Sequence, residues 1–190
     1  DLNFMVSSVK ELMDNLNIDK AHLVGHSMGG LISSKLALDH PDKVESICLI
    51  GSAGLGKEIN SDYIDGFVNS VSKKELKPKL SYLFADSSLV NRSMIDDLLK
   101  FKRLDGVDAF LKSLSKSLFP DGNQNSVISK DLDGLAKKIL VIHGEKDAII
   151  NSSHANSVNN ADLQIIPDAG HNVQLEQASK VNELILNHIS

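Results

Sequence analysis

The sequence contains no tryptophan and a single cysteine, Cys48, among its 190 residues. One cysteine excludes a disulfide within the chain and leaves no cysteine cluster for a metal ion. Because Cys48 lies inside the apolar run at residues 47–50, we interpret it as a buried structural thiol rather than a reactive one. A chain without disulfides fits the reducing cytoplasm, where we expect this protein to be located.

Long apolar runs and an excess of positive charge are also missing. No apolar run approaches the ~20 residues of a membrane-spanning helix, so we expect no membrane partner. The formal net charge is −5, and such a chain offers no basic face of the kind that attracts nucleic acid. With 42% hydrophobic residues, the chain is able to bury the core of one domain.

Short apolar runs alternate with helical patterns along most of the chain. An alternation of this kind predicts an α/β fold with a parallel sheet, whose strands are buried on both faces. The predicted strands are residues 21–24, 44–50, 139–143 and 163–166. The predicted helices outside the long central stretch are residues 3–17, 31–38, 151–160 and 178–189.

The central stretch departs from this alternation. Residues 58–118 show several helical patterns and no strand character; Met94, Leu98 and Phe101, for example, share one helical face. The stretch lies between the second and third predicted strands. We therefore predict a helical cap at residues 52–122, inserted between strands of the one domain to which residues 1–190 belong.

Gly25, His26, Ser27, Met28 and Gly29 match the pattern G-x-S-x-G between a predicted strand and a predicted helix. In this context the pattern indicates a sharp turn that holds a strained, nucleophilic serine. We expect both glycines to be required, because the positions two before and two after the serine lie almost against each other. The Met28 N–H begins the helix and is the candidate donor to an oxyanion. The alternative is a structural turn rich in glycine.

A serine nucleophile needs a base, and the base needs a carboxylate that orients it. His171 is the best candidate base, since it lies in a tight turn after the last predicted strand. Asp147 is the best candidate acid, because it follows the third strand after a short turn at the same edge of the sheet. Glu145 and Asp168 compete for that role, and the alternative for His171 is a solvent-exposed turn histidine.

The remaining histidines give weaker signals, and no spacing of His, Cys and carboxylate residues suggests a metal site. His26 stands beside the nucleophile, where a histidine more often packs or hydrogen-bonds locally, but it is also a candidate substrate contact. We interpret His22 and His143 as satisfied core or edge residues of strands. The predicted surface histidines are His40, His154 and His188.

The elbow at residues 25–30, Asp147 in its turn, and Gly170 and His171 with Glu176 following resemble the α/β-hydrolase superfamily. The resemblance covers nearly the whole chain and implies a parallel sheet with flanking helices and a helical cap. The cap sequence is similar to the hydrolase-type domain of the dihydrolipoyl acetyltransferase component of acetoin dehydrogenase complexes. The similar cap segments are residues 53–60, 63–67, 75–78, 83–86 and 97–106.

The resemblance implies an enzyme that transfers an acyl group between a lipoyl thiol and coenzyme A, through an acyl-enzyme on Ser27. The chain lacks the H-x-x-x-D-G motif of ordinary acyltransferases of 2-oxo-acid complexes, so His171 would have to supply the base. Coenzyme A and lipoamide are expected as substrates rather than bound cofactors, and subunits of the acetoin dehydrogenase complex as partners. The alternatives are a generic carboxylesterase or thioesterase acting on small acyl esters or thioesters, and a non-catalytic binding module.

By analogy with the superfamily, about eight strands are expected, and four are placed here. We therefore expect residues 1–190 to be the C-terminal part of an α/β-hydrolase domain, without the second oxyanion donor that an earlier loop supplies. The elbow strand would then have an apolar edge open to pairing with another chain.

Two sets of cap residues are candidates for substrate contacts. Phe67 and Phe84 are candidates for an acyl pocket, although helical spacing also fits packing within the cap. A basic set is a candidate for coenzyme A phosphates, with solvated helix faces as the alternative. Its members are Lys73, Lys74, Lys77, Lys79, Arg92, Lys100, Lys102 and Arg103.

Overall fold

The computed structural model describes residues 1–190 and contains one sheet of four parallel strands in the order β1-β2-β3-β4. The strands are β1 (Ala21–His26), β2 (Val44–Ile50), β3 (Lys138–Gly144) and β4 (Asp162–Ile166). All four predicted strands are confirmed, each extended by a residue or two or unchanged. Since parallel strands end at one edge of the sheet, the segments that follow them meet there.

Helices cover both faces of this sheet, and the alternation of side chains along the strands supplies two separate cores. In β2, Ile47 and Leu49 face one core while Cys48 and Ile50 face the other. The first core is covered by α1 (Leu2–Asn15) and α2 (Met28–Asp39). Cys48 is fully buried, and burial raises the pKa of its thiol to about 12, as expected of a structural cysteine.

The cap between β2 and β3 is helical, as predicted. It contains α3 (Ser61–Asn69), α4 (Lys73–Leu80), α5 (Arg92–Lys102) and α6 (Val107–Leu118). Side chains of Asn60, Ser72 and Asn91 accept hydrogen bonds from the first turns of α3, α4 and α5, which explains where these helices begin. The cap has its own core, which includes Leu76 and Phe84.

The segment after β3 differs from the prediction. Residues 151–160 contain a 3₁₀ helix, Ser152–Ser157, instead of a longer α-helix. The side chain of Asn151 accepts a hydrogen bond from Ser153 N, and short polar side chains of this kind compete with regular helix hydrogen bonds.

Three further α-helices are α7 (Ser129–Leu132), α8 (Val173–Glu176) and α9 (Ala178–Ile189), and short 3₁₀ helices lie at Pro41–Lys43, Ser81–Leu83 and Ser87–Leu89. The second core lies beneath α8 and α9, which contribute Val173 and Val181. At the opposite side of the sheet, β1 pairs only with β2, and Val24 on this edge strand is 48% exposed. No helix combines the length and apolar character needed to cross a membrane.

Candidate active site

Ser27 is the single residue between the end of β1 and the start of α2. Its backbone has φ 54° and ψ −119°, a conformation that residues with a side chain rarely adopt. Such strain costs about 1–3 kcal/mol and persists only where the surrounding structure enforces it. The carbonyl of Ser27 accepts hydrogen bonds from Gly30 N and Ala53 N, both at 3.0 Å, which holds the turn in place. The sequence-based expectation of a strained turn agrees with this geometry.

The glycines around Ser27 are not all required by the packing of the turn. A Cβ on Gly25 would lie 2.4 Å from the carbonyl oxygen of Gly29, so this position does need glycine. A Cβ on Gly30 would lie 2.2 Å from Ser52 Oγ. A Cβ on Gly29, in contrast, would meet nothing within 4 Å, and the expectation that Gly29 is sterically required was therefore wrong.

The Met28 N–H is free to bind an oxyanion. Met28 is the first residue of α2, where backbone N–H groups have no partner within the helix. Its N–H donates to no acceptor in the protein, and it carries the partial positive charge of a helix N-terminus.

Asp147 is held by four hydrogen-bond donors at the edge of the sheet after β3. Oδ1 accepts from Ile149 N at 2.8 Å and from Ile150 N at 3.0 Å. Oδ2 lies 2.8 Å from His171 Nδ1 and 3.0 Å from His143 Nε2, and the side chain is fully buried. Burial alone would raise the pKa of the Asp147 carboxyl, but the two histidine hydrogen bonds outweigh it and hold the pKa well below its usual range.

His171 lies in the turn after β4 and is almost completely buried, at 2% exposure. Because its Nδ1 donates to the carboxylate of Asp147, the neutral ring leaves Nε2 as the acceptor, which is the tautomer that a general base requires. No hydrogen bond joins Ser27 Oγ to the ring, and contacts of this kind often tighten only when substrate binds. The competing acid Asp168 is instead exposed and paired with Lys146.

His26 connects the serine turn to the loop that carries His171. Its Nε2 donates to the carbonyl oxygen of His171 at 3.0 Å, and the two ring centroids are 4.8 Å apart. Burial, together with the nearby His171 ring, lowers the pKa of His26 to about 4, so the ring is neutral at pH 7. The structure thus places this candidate substrate contact against the histidine loop, and it does not line the cavity described below.

His143 is the residue that sequence reasoning did not connect with the site. Its side chain is fully buried, and Nε2 is 3.0 Å from both Asp147 Oδ2 and the carbonyl oxygen of Ile150. Both neighbours are acceptors, so Nε2 carries the proton, while the buried Nδ1 has no partner. The sequence signal that could have identified it is its position near the end of β3, four residues before Asp147.

Of the other histidines, His22 agrees with the prediction and His154 does not. His22 is a satisfied strand histidine, since Nδ1 lies 2.8 Å from Ser46 Oγ. His154 was predicted at the surface, but its side chain is only 10% exposed and contacts Glu58 at 3.0 Å. It packs over Gly56, which has no side chain to exclude it. No cluster of three or more His, Cys, Asp or Glu side chains is placed to hold a metal ion.

A cavity of about 240 Å³ opens beside Ser27 and Met28, beneath the cap helices α3 and α6. Its wall is mostly apolar and includes Phe67, as the sequence suggested. Phe84 does not line it, because that side chain is buried within the core of the cap. None of the lining residues is charged; beyond those named, they are Leu31, Ala53, Ile59, Tyr63, Ile64, Val68, Leu111, Leu114, Ser115, Leu118, Phe119, Gln124, Asn125, Ser126 and Ile149.

The basic residues of the cap lie outside this cavity, and several are paired. Lys79 pairs with Asp62 at 2.7 Å, and Lys73 and Arg92 both pair with Asp96. Lys102 donates to the carbonyl oxygens of Phe67 and Val68 at the end of α3. These contacts favour solvated and structural roles over a built phosphate site.

Comparison with known proteins shows the family to which the chain belongs. The profile of the α/β hydrolase fold family matches residues 1–178. The chain is 42% identical, over 97% of its length, to the dihydrolipoyllysine-residue acetyltransferase component of the acetoin cleaving system of Cupriavidus necator. It is 45% identical over 98% of its length to the component of that name from Pseudomonas putida. In both cases the chain spans half the length of the relative.

More distant similarities connect the chain to hydrolases. It is 28% identical, over 94% of its length, to 2-hydroxymuconate semialdehyde hydrolase of Pseudomonas putida, of which it covers 66%. Among solved structures, the meta-cleavage product hydrolase of Pseudomonas fluorescens IP01 superposes with a TM-score of 0.88. That match covers all of this chain and 71% of the hydrolase at 23% identity, which shows the fold alone.

Proposed function

Since the chain belongs to the α/β-hydrolase family, we propose that it transfers acyl groups through an acyl-enzyme on Ser27, with His171 as the base and Asp147 as the carboxylate that orients it. One observation carries this proposal. A buried, four-fold hydrogen-bonded Asp147 holds the Nδ1 of His171, and the His171 loop is joined through His26 to the strained serine turn.

The proposed reaction begins when Ser27 Oγ attacks the acyl carbonyl carbon and His171 Nε2 takes the hydroxyl proton. The carbonyl oxygen becomes negatively charged in the tetrahedral intermediate, and the Met28 N–H is the proposed donor to it. When the intermediate collapses, the bond to the leaving oxygen or sulfur breaks and that atom takes the proton from His171. A second nucleophile, water or a thiol, then removes the acyl group by the reverse sequence.

The specific form of the proposal is acetyl transfer between a lipoyl thiol and coenzyme A. It is supported by the similarity to two acetyltransferase components of acetoin cleaving systems, at 42% and 45% identity. Lipoamide and coenzyme A are then substrates that visit the site in turn. The other subunits of an acetoin-cleaving complex are the proposed partners.

The second candidate is hydrolysis of a carboxylate-bearing ketone, which the sequence similarity to relatives named as hydrolases of such compounds favours. One such relative, 29% identical to this chain, is named 2-hydroxy-6-oxo-6-phenylhexa-2,4-dienoate hydrolase, and the compound in that name carries a carboxylate. A carboxylate in an apolar cavity needs a cation or several donors to replace its water. Because no charged side chain lines the cavity beside Ser27, an uncharged acyl ester or thioester fits better.

The test is covalent labelling with a fluorophosphonate, followed by intact mass measurement. We expect one adduct on the wild-type chain and none on Ser27→Ala. Ser115→Ala is the matched control, because Ser115 also lines the cavity and its loss should leave labelling unchanged. Acetyl-lipoamide with coenzyme A, compared with acetyl-lipoamide in water, then separates acyl transfer from hydrolysis. A folded wild-type chain that forms no adduct would favour the non-catalytic binding module.

A further inference from the structure

Glu176 joins the loop of His171 to the cap. It is the last residue of α8, and its two carboxylate oxygens accept hydrogen bonds from two separate segments. Oε2 accepts from Gly170 N at 2.6 Å, in the histidine loop. Oε1 accepts from Ala85 N at 2.9 Å and from Asp86 N at 3.3 Å, in the cap. One side chain therefore satisfies three backbone donors.

The two segments also touch directly. A Cβ on Gly170 would lie 2.6 Å from Ala85 N and 2.7 Å from the carbonyl carbon of Phe84, so the backbones pack without an intervening side chain. On the other side of His171, Asn172 N donates to the carbonyl oxygen of Leu83 at 2.9 Å. The residues on either side of His171 are thus both attached to the cap segment at residues 83–86.

We propose that Glu176 is a positioning residue, which sets the location of His171 by clamping its loop to residues 83–86 of the cap. The proposal rests on the function proposed above, because it assigns Glu176 to the base of that reaction. Hydrogen bonds to an ionised carboxylate are roughly twice as strong as neutral ones. A carboxylate also offers an acceptor to each segment, which no other side chain of this length does.

Glu176→Gln changes this clamp with the smallest change of shape. An amide has one acceptor oxygen, so its NH₂ group must face the N–H of either Gly170 or Ala85 and Asp86. One segment loses its acceptor and moves away, and His171 moves with it. A displacement of about 1 Å in a catalytic group costs about 10² in rate. Glu183→Gln is the matched control, since Glu183 lies exposed on α9 and pairs only with Lys180.

The experiment measures saturation kinetics with p-nitrophenyl acetate and rates of fluorophosphonate labelling. For Glu176→Gln we expect kcat and the labelling rate to fall about 10²-fold. KM should stay within about twofold, because neither Glu176 nor residues 83–86 line the cavity. For Glu183→Gln both should equal the wild type. A Glu176→Gln protein that labels as fast as Glu183→Gln would overturn the proposal. A wild-type chain that never labels would instead overturn the proposed function.

Hydrogen exchange of the wild-type protein gives a second test that needs no variant and no activity. If one carboxylate holds the clamp, the amides of Gly170, Ala85 and Asp86 should open together and exchange with similar protection. Gly170 exchanging freely while Ala85 and Asp86 remain protected would show that Glu176 serves the cap alone, and would overturn the proposal.

Discussion

Two glycines of the serine turn offer a matched pair of substitutions with opposite expected results. Both belong to the G-x-S-x-G pattern, so sequence reasoning alone treats Gly25→Ala and Gly29→Ala as equally damaging. The structure separates them, because an added Cβ would lie 2.4 Å from a backbone oxygen at Gly25 and would meet nothing within 4 Å at Gly29.

The magnitudes follow from these distances. At Gly25 the contact is about 1 Å shorter than ordinary van der Waals separation, and the obstructing atoms are backbone, so the turn has to open. Overpacking of this kind costs about 1–3 kcal/mol of unfolding free energy. A displacement of about 1 Å at the nucleophile also costs about 10² in rate. Gly29 lies inside α2 without a positive φ, where alanine should stabilise the helix by about 0.5–1 kcal/mol.

The assay combines thermal unfolding with the rate of fluorophosphonate labelling. We expect Gly25→Ala to unfold at a lower temperature and to label about 10²-fold more slowly. Gly29→Ala should unfold at the same or a slightly higher temperature and label like the wild type. The steric reasoning is refuted if Gly25→Ala labels at the wild-type rate, or if a folded Gly29→Ala loses as much activity as Gly25→Ala.

Three further predictions follow from the site. Asp147→Asn should lower kcat by about 10⁴, measured with p-nitrophenyl acetate, because the amide no longer selects the His171 tautomer with Nε2 free; wild-type activity would exclude this role. Because the pKa of His26 falls from 6.5 to about 4 on folding, the unfolded chain binds the proton first, and wild-type stability should decline as pH drops through that window. His26→Gln should show a smaller decline in urea unfolding, and an identical slope would contradict the assignment. Phe67→Ala should raise KM and also lower stability, because Phe67 lines the cavity and packs against the cap core, whereas Phe84→Ala should cost about 3–5 kcal/mol and leave KM unchanged.

The fold was largely predictable, because short apolar runs in the sequence indicate which segments form buried strands. In the run at residues 44–50, neighbouring apolar side chains point alternately into the two cores. A continuous apolar run of this kind is typical of a strand that is buried on both faces. The cap helices were predictable from apolar spacing, whereas their first residues became clear only from the structure, where Asn60 and Asn91 cap α3 and α5. The 3₁₀ helix at Ser152–Ser157 was not, since local hydrogen bonds of short polar side chains override a weak helical pattern there.

The site was predictable only where a residue has a local signature. Ser27 lies in a recognisable pattern, and His171 and Asp147 follow strands that end at one edge of the sheet. The contacts of His143 and Glu176, in contrast, depend on the three-dimensional path of the chain. Asp86 and Glu176, for example, are joined by a hydrogen bond although they lie 90 residues apart in sequence. Phe84 was named as a candidate for the acyl pocket but lies in the cap core. Apolar spacing alone does not indicate which apolar side chains of the cap face the cavity.

The positive φ of Ser27 has a consequence for how this protein would respond to selection. Ser27, the proposed nucleophile, occupies a backbone conformation at φ 54° that glycine adopts at no steric cost. Replacing it with glycine would therefore relieve strain while removing the reactive hydroxyl, so heat resistance and reactivity make opposite demands on one position. A population screened only for thermal tolerance should therefore accumulate glycine variants at this position.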